Sequence, residues 1–398
     1  MTPNARIASA ILIIDSIIAG DPAEKVLTNW ARKSRFAGSS DRSAVRDIVY
    51  DCLRSLNSFG TLGGNKTGRG VIIGYLLFSN KEPNLFFNGI GYGPSELTPS
   101  ELSHIDLTQN ESSPLEVLDF PDCLLDELKD SLGESFYSVN NTLKQRAPFY
   151  IRVNLSKATL DEVQLILRDE GIETDLDDAC VTALKVLSNP RKVKQSVAYK
   201  TGLLDIQDLN SQISCRTIPL ENGWKLLDFC AGGGGKSLAL SDRFSGTIDA
   251  YDKDFLRMKD IPVRSDRAGV TINLLSNDDI RTVSSYDLVI CDVPCTGSGA
   301  WRRNPDAKWT LTTDNYEALK KTQQEILDDA STLVSGNGVL VYMTCSLLKA
   351  ENSDQVEAFL LRNSDWEVVF QESFPLSNSG DCFFVTHFFY ANLNTSNR

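Results

Sequence analysis

The most constraining feature of this sequence is a set of apolar runs that each stop abruptly at a polar or glycine-rich turn. One run, Leu288–Cys291, leads directly into Asp292 and Pro294, and another, Gly338–Met343, leads into a threonine, a cysteine and a serine. Short apolar runs bounded by turn residues are typical of buried strands, and an α/β sheet presents functional groups at the edge where its strands end. The sequence therefore predicts an α/β fold with polar groups along one edge of its sheet.

Two cysteines follow these predicted strands. Cys295 lies three residues beyond Asp292, and Cys345 lies two residues beyond Met343. A lone cysteine is most often a small core residue. Two cysteines just past two strand ends, one of them close to an acid, instead predict a functional pair at the same edge of the sheet.

A third predicted strand, Lys225–Cys230, runs into a glycine-rich turn and then a helix. The turn and the start of the helix contain Ala231, Gly232, Gly233, Gly234, Gly235 and Lys236. This order of elements allows the backbone to approach a nucleotide-like ligand closely. The next predicted strand ends at Asp252, an acid suited to ribose hydroxyls. The pattern therefore favours an adenosyl ligand without a triphosphate.

The segment GGGGKS also resembles the end of a phosphate-binding loop, which keeps an ATPase as a second hypothesis. A P-loop needs a glycine five residues before Gly235, and Cys230 occupies that position. The run DLVICD could still serve as the acid-ended strand of an ATPase. A comparison of nucleotide binding would separate the two hypotheses.

The charge balance argues against a general affinity for nucleic acid. The chain has 40 basic and 53 acidic residues and a formal net charge of −13, but the distribution of charge matters more than its sum. Basic residues cluster at 32–35, 191–194 and 302–308. Because one of these clusters lies inside the block that follows Cys295, we expect contact with RNA.

The numbers and spacing of cysteines and histidines indicate the redox compartment and which catalytic or metal sites the chain can form. Nine cysteines in a chain of 398 residues fit a reducing compartment, and no stretch approaches the length of a transmembrane helix. His104 and His387 are the only histidines, and the sequence has no Cys-x-x-Cys, so it predicts neither a Cys–His pair nor a zinc site. We expect a monomeric, cytoplasmic protein with no membrane segment and no metal.

Four blocks of the sequence resemble those of the Sun-type RNA (cytosine-5) methyltransferases. They are LLDFCAGGGGKS, DAYDKD, DLVICDVPCTGSGAWRRNPDAKW and VYMTCSLLKAENSDQV. The resemblance implies a Rossmann-like, S-adenosylmethionine-dependent methyltransferase domain over residues 211–398. It also implies an all-α, NusB-like RNA-binding domain over residues 1–143 and a small α/β module over residues 144–210. The implied substrate is RNA, in particular ribosomal RNA of the small subunit.

Cytosine methylation at C5 requires a group that first adds to C6, and a thiolate both adds and leaves readily. The residues alone do not say which cysteine attacks. The resemblance assigns attack to Cys345 and gives Cys295 the role of helping to release the product. Asp292 is the candidate for hydrogen bonding to N3, provided that it carries a proton, as an acid at a dry site can. Lys236 is a candidate cation for thiolate formation.

The positions of the remaining residues suggest their roles. Candidate cofactor-binding residues are Cys230, Ala231, Gly232, Gly233, Gly234, Gly235, Lys236, Asp252, Asn277, Asp278 and Asp292. The acid that contacts adenine in the family falls on Asn277 or Asp278, and the sequence does not separate the two. Arg302, Arg303 and Lys308 are expected to contact phosphates near the target base. A non-catalytic RNA-binding assembly factor that retains the cofactor fold is a third hypothesis.

Overall fold

The computed structural model describes residues 1–110 and 117–390. It divides the chain into two compact units. A helical unit consists of Met1–Arg146 and Trp301–Thr312, and an α/β unit consists of Ala147–Ala300 and Thr313–Arg398. The predicted domains include residues 111–116 and 391–398, which lie outside the described residues. The predicted limits at 143 and 210 stay predictions, but they did not anticipate that residues 301–312 join the N-terminal helices.

The elements follow one another in three groups. The first group is α1 (Pro3–Ile18), α2 (Ala23–Lys33), α3 (Ser39–Arg54), α4 (Leu56–Leu62), α5 (Gly68–Phe78), α6 (Pro99–Asn110), α7 (Leu125–Leu132) and α8 (Phe136–Leu143). The second is β1 (Phe149–Val153), α9 (Leu160–Asp169), β2 (Thr174–Leu176), β3 (Ala183–Val186), α10 (Val197–Lys200) and β4 (Leu204–Ile206). The third is α11 (Leu209–Thr217), β5 (Lys225–Asp228), α12 (Gly235–Leu240), β6 (Thr247–Tyr251), α13 (Ile261–Ala268), β7 (Asn273–Leu275), β8 (Tyr286–Asp292), α14 (Pro305–Trp309), α15 (Thr313–Ser331), β9 (Val334–Thr344), α16 (Ser353–Arg362), β10 (Trp366–Phe374) and β11 (Phe383–Tyr390).

The helical unit is built around the apolar faces of its longest helices. Helix α1 starts at Pro3, and the Thr2 side chain caps it by accepting a hydrogen bond from the Ala5 amide. Its residues Ile7 and Ile14 lie one above the other at helical spacing and are buried against α3 and α5. Within the described ranges, no helix is both long and apolar enough to cross a bilayer.

The α/β unit contains two sheets. The smaller one has the strand order β2-β3-β1-β4, and its paired strands are antiparallel. The larger one has the order β10-β11-β9-β8-β5-β6-β7, in which β5 to β9 are parallel and β11 is antiparallel to both β9 and β10. This arrangement confirms the predicted Rossmann-like α/β fold.

Alternating residues of the central strands bury the two faces of the large sheet. Val289 and Leu340 pack on the side covered by α15 and α16, whereas Leu288 and Val339 pack on the side covered by α11 and α12. All four side chains are fully buried. Because both faces are covered, β8 is a continuous apolar run, as is typical of parallel strands. The functional groups therefore lie beyond the carboxyl ends of the strands.

Candidate active site

Two free thiols meet at the carboxyl edge of the large sheet. Strand β8 ends at Asp292 and the parallel strand β9 ends at Thr344, so the loops that follow them are neighbours. The sulfur atoms of Cys295 and Cys345 lie 3.6 Å apart. The predicted juxtaposition of these two cysteines is confirmed.

The loop after Cys295 can approach Cys345 only because it contains glycine. Gly297 has φ +63°, a conformation that side chains other than glycine rarely adopt, and a Cβ there would lie 4.0 Å from the Cys345 sulfur. A Cβ on Gly299 would lie 2.4 Å from the Cβ of Cys382 and 2.9 Å from the Cys345 carbonyl oxygen. Gly299 donates its amide to that same carbonyl at 2.9 Å. The two loops are therefore packed backbone to backbone.

The surroundings of Cys295 favour its protonated form. Its hydrogen bond with Cys345, together with burial, raises the pKa of Cys295 well above its usual value. A thiol in this state is a poor nucleophile, because the thiolate is the attacking form.

An ion pair lies at the same edge. Lys236, in the first turn of α12, places Nζ 2.8 Å from Oδ2 of Asp292 and 4.6 Å from the centre of the Phe383 ring. Burial alone would lower the pKa of Lys236, but the charge of Asp292 outweighs it and holds the pKa above its ordinary value. Lys236 is therefore a permanent cation beside Asp292.

Two buried acids fix the glycine-rich turn. Asp252 accepts the Gly232 amide at 3.0 Å and pairs with Arg257 at 3.1 Å. Asp228, at the end of β5, accepts the backbone amide of Ser237 at 3.2 Å and its hydroxyl at 2.6 Å. Burial raises the pKa of Asp228 to about 6. The turn is thus held from both sides by carboxylates.

A cavity of about 920 Å³ opens beyond β5 and β6. Apolar side chains in its wall are Phe229, Tyr251, Ile280, Pro294, Ile326 and Leu333, and polar ones include Cys230, Asp252, Asn277, Glu325 and Asp329. Its size and mixed lining suit a ligand with a flat ring and several polar groups.

The cavity brings together Cys230, Asp252 and Asn277 from the predicted set. The Asn277 amide oxygen accepts the Tyr251 hydroxyl at 2.9 Å. The Asp278 side chain is 98% exposed and lies 4.0 Å from Arg281, so the geometry favours Asn277 of the two candidates. Ala231 and Gly232 to Gly235 form the turn and the start of α12.

Several wall residues were not among the predicted ones. Tyr251 directly precedes Asp252, so its position at a strand end could have indicated it. Glu325 and Asp329 lie on α15, and nothing in the sequence tells which face of that helix turns towards the cavity.

The basic segment 301–312 is placed differently from what the sequence predicted. Lys308 is fully buried in the helical unit and donates to the carbonyl oxygens of Arg54 at 2.9 Å and Asp119 at 2.8 Å. Arg302 is 1% exposed, and its carbonyl accepts Arg54 Nε at 2.7 Å. Burial of this kind does not fit the predicted phosphate contacts of Arg302 and Lys308. Arg303, which is half-buried, keeps some surface.

Comparison with known proteins identifies related domains. Residues 216–389 match the family model described as 16S rRNA methyltransferase RsmB/F, and residues 120–194 match the Methyltr_RsmF/B-like, ferredoxin-like domain. The ribosomal RNA small subunit methyltransferase B of Pasteurella multocida is 29% identical over 66% of this chain and 64% of its own length. The protein of the same name from Vibrio cholerae is 32% identical over 63% of this chain and 58% of its own length. The chain thus spans less than two thirds of the length of these relatives.

Solved structures share the fold at lower sequence identity. PH0851 has a TM-score of 0.73 and 22% identity, and the match covers 98% of this chain and 99% of that protein. NSun6 from Pyrococcus horikoshii, crystallised with SFG, has a TM-score of 0.60 and 18% identity over 68% of this chain and 98% of its own.

The seven-stranded sheet and the cavity at its carboxyl edge define a Rossmann-like, S-adenosylmethionine-dependent methyltransferase fold. Residues 216–389 are similar to the methyltransferase domains of the RsmB/F family, the Sun-type methyltransferases.

Proposed function

We propose that this protein methylates C5 of a cytosine in RNA, with small-subunit ribosomal RNA as its substrate. The single observation that carries the proposal is the pair of free thiols, 3.6 Å apart, at the carboxyl edge of a methyltransferase sheet. One thiol is enough for addition to C6, and a second thiol at this distance can take part in undoing it. The names of the relatives from Pasteurella multocida and Vibrio cholerae support ribosomal RNA.

The cavity fits S-adenosylmethionine, which supplies the methyl group. Asp252, at the end of β6, would accept hydrogen bonds from the ribose hydroxyls, and Asn277 would contact adenine. Phe229 and Tyr251, whose ring centres are 5.0 Å apart, offer an apolar surface for a flat base.

The chain's own residues would act on the base in a fixed order. The Cys345 thiolate forms a bond from its sulfur to C6, and the electron pair moves to C5, which takes the methyl group. A base then takes the C5 proton, its electron pair restores the double bond between C5 and C6, and the bond from sulfur to C6 breaks to release the Cys345 thiolate. Asp292 would donate a hydrogen bond to N3, provided that it carries a proton and has given up its ion pair with Lys236, and Cys295 would assist release.

The ATPase hypothesis has less support. Cys230 replaces the first glycine of a P-loop, and the lysine of the loop pairs with Asp292 at 2.8 Å. An assay of methyl transfer would also separate an enzyme from a non-catalytic assembly factor.

The test is to incubate the purified protein with S-adenosylmethionine and unmodified small-subunit ribosomal RNA, and to map modified bases by mass spectrometry. We expect 5-methylcytosine at a defined site with the wild type and none with Cys345→Ala. Methylation of another base or atom would contradict the proposal, as would ATP hydrolysis without methyl transfer.

A further inference from the structure

A buried carboxylate, Glu351, connects the two loops that carry the cysteines. It is 0% exposed. Oε1 accepts the Thr296 amide at 2.9 Å, and Oε2 accepts the Thr296 hydroxyl at 2.5 Å and the Ser346 hydroxyl. Thr296 directly follows Cys295, and Ser346 directly follows Cys345. One side chain therefore bonds to the residue after each thiol.

Helix α15 adds a further hydrogen bond to this carboxylate. The Gln323 amide nitrogen donates to Glu351 Oε1 at 3.0 Å and to the carbonyl of Pro294 at 2.9 Å. Pro294 is the residue before Cys295. Glu351 and Gln323 together thus hold the chain on both sides of that thiol.

The hydrogen bonds of Glu351 restrain the loop after Cys295 relative to the loop after Cys345. A buried carboxylate is costly unless donors surround it, and here backbone, hydroxyl and amide donors all point at the two oxygens. Hydrogen bonds to an ionised acceptor are shorter and about twice as strong as neutral ones. An apolar side chain could fill the same space, but it could not bond to both loops.

We propose that Glu351 is a positioning residue that holds the sulfur atoms of Cys295 and Cys345 at the separation the reaction needs. This inference rests on the proposed function, because attack and release at one base are what require two adjacent thiols. Glu351 itself does not touch the base. In Glu351→Gln one of the two acceptor oxygens becomes an NH2 group that cannot accept from the donors around it, so the link between the loops weakens and the distance between the two sulfur atoms is no longer fixed.

The spacing of the thiols can be measured without RNA or cofactor. Phenylarsine oxide bonds to two neighbouring thiols through its arsenic atom with loss of one water. We expect the wild type to form a bridged adduct at Cys295 and Cys345, located by peptide mapping. We expect Glu351→Gln to bind the reagent at least about tenfold more weakly, because reactions that depend on two held groups fall steeply with misplacement.

A matched control is Asp242→Asn, which makes the same chemical change at another buried carboxylate. Asp242 pairs with Arg152 at 3.7 Å and follows α12. This variant should bind the arsenical as the wild type does, although it loses stability. Wild-type arsenical binding in Glu351→Gln would overturn the inference. If Glu351→Gln does not fold, Ser346→Ala is the second variant: it removes one donor to Glu351 and also the acceptor of the Leu348 amide. It should weaken arsenical binding by a smaller factor than Glu351→Gln, and unchanged binding would equally overturn the inference.

Turnover gives a second readout that separates this inference from the proposed function. Glu351→Gln should lower kcat for methyl transfer and leave KM for S-adenosylmethionine close to the wild-type value, because the cofactor cavity is lined by other residues. Phenylarsine oxide could bind Glu351→Gln more weakly than it binds the wild type, while the wild type does not methylate cytosine. That result would support the positioning role of Glu351 and contradict the proposed function. A variant that lowers kcat with an intact bridge would contradict the positioning role.

Discussion

Glu351 and Lys308 are both fully buried, ionisable side chains, but their hydrogen bonds stabilise different parts of the molecule. Glu351 is an anion that collects hydroxyl, amide and backbone donors from the loops after the two thiols. Lys308 is a base whose amino group donates to the backbone carbonyls of Arg54 and Asp119 inside the helical unit. The hydrogen bonds of Glu351 connect the loops that carry Cys295 and Cys345, and those of Lys308 attach the segment 301–312 to the helical core.

The difference teaches that a basic residue close in sequence to a cysteine of the candidate site need not contact the substrate. Lys308 lies only thirteen positions after Cys295, but its amino group donates to two backbone carbonyls of the helical unit. Trp309 makes a similar attachment, since its indole nitrogen donates to the Leu53 carbonyl at 2.7 Å. Three variants, at Lys308, Asp252 and Arg303, test which charged residues stabilise the fold and which bind ligands.

Lys308→Met should have the largest effect, and that effect should be on stability. The change leaves the Arg54 and Asp119 carbonyls without their donor, and an unpaired buried acceptor costs about 1–3 kcal/mol. Urea unfolding should therefore show a clearly lower free energy of unfolding. Lys321→Met, on the exposed face of α15, is the control and should change it by no more than about 0.5 kcal/mol. Equal stability of both variants would show that the buried ammonium is dispensable.

The same lysine predicts how stability depends on pH. Burial lowers the pKa of Lys308 to about 7 in the folded protein, whereas a lysine in an unfolded chain has a pKa of about 10.4. Between these values the unfolded state binds more protons, so the contribution of Lys308 makes stability rise from about pH 7 to about pH 10. This part of the pH profile should be absent in Lys308→Met.

Asp252→Ala should leave the fold in place and weaken cofactor binding. A hydrogen bond to a charged acceptor contributes about 1.5–3 kcal/mol, so the affinity should fall roughly tenfold or more for each hydrogen bond to the ribose that the variant cannot form. Calorimetry with S-adenosylmethionine measures the change. Asp249→Ala is a control on the same strand, because Asp249 bonds to Tyr286 and Asn273. Unchanged affinity in Asp252→Ala would remove this acid from the cofactor site.

Arg303→Ala should have the smallest effect, on RNA binding alone. Of the three basic residues predicted to contact phosphates, Arg303 is the one that is half-buried and not fully buried. If it contacts one phosphate, the slope of log affinity against log salt should fall by about one. Lys321→Ala removes an equal charge from α15 and should leave the slope as it is. A slope that stays the same in Arg303→Ala would mean that Arg303 makes no phosphate contact.

The residues whose positions the sequence predicted well are those that directly follow a strand. Parallel strands bring whatever follows them to one edge, so Cys295, Cys345 and Asp252 could be placed from their positions after apolar runs. The role of Glu351 could not be predicted, because its partners come from separate loops that meet only in the folded sheet. The burial of Lys308 was missed because a lysine in a basic cluster has the same local pattern whether or not helices cover it.

The most direct test of the proposed division of labour between the thiols is to trap the covalent intermediate on RNA. Each single cysteine variant is incubated with S-adenosylmethionine and substrate RNA, and then separated by denaturing electrophoresis. Cys295→Ala should accumulate a protein–RNA adduct, because Cys345 still attacks while release is slow. Cys345→Ala and the double variant should form none. An adduct with Cys345→Ala and none with Cys295→Ala would invert the assignment, and unaltered turnover in both would contradict the thiol mechanism.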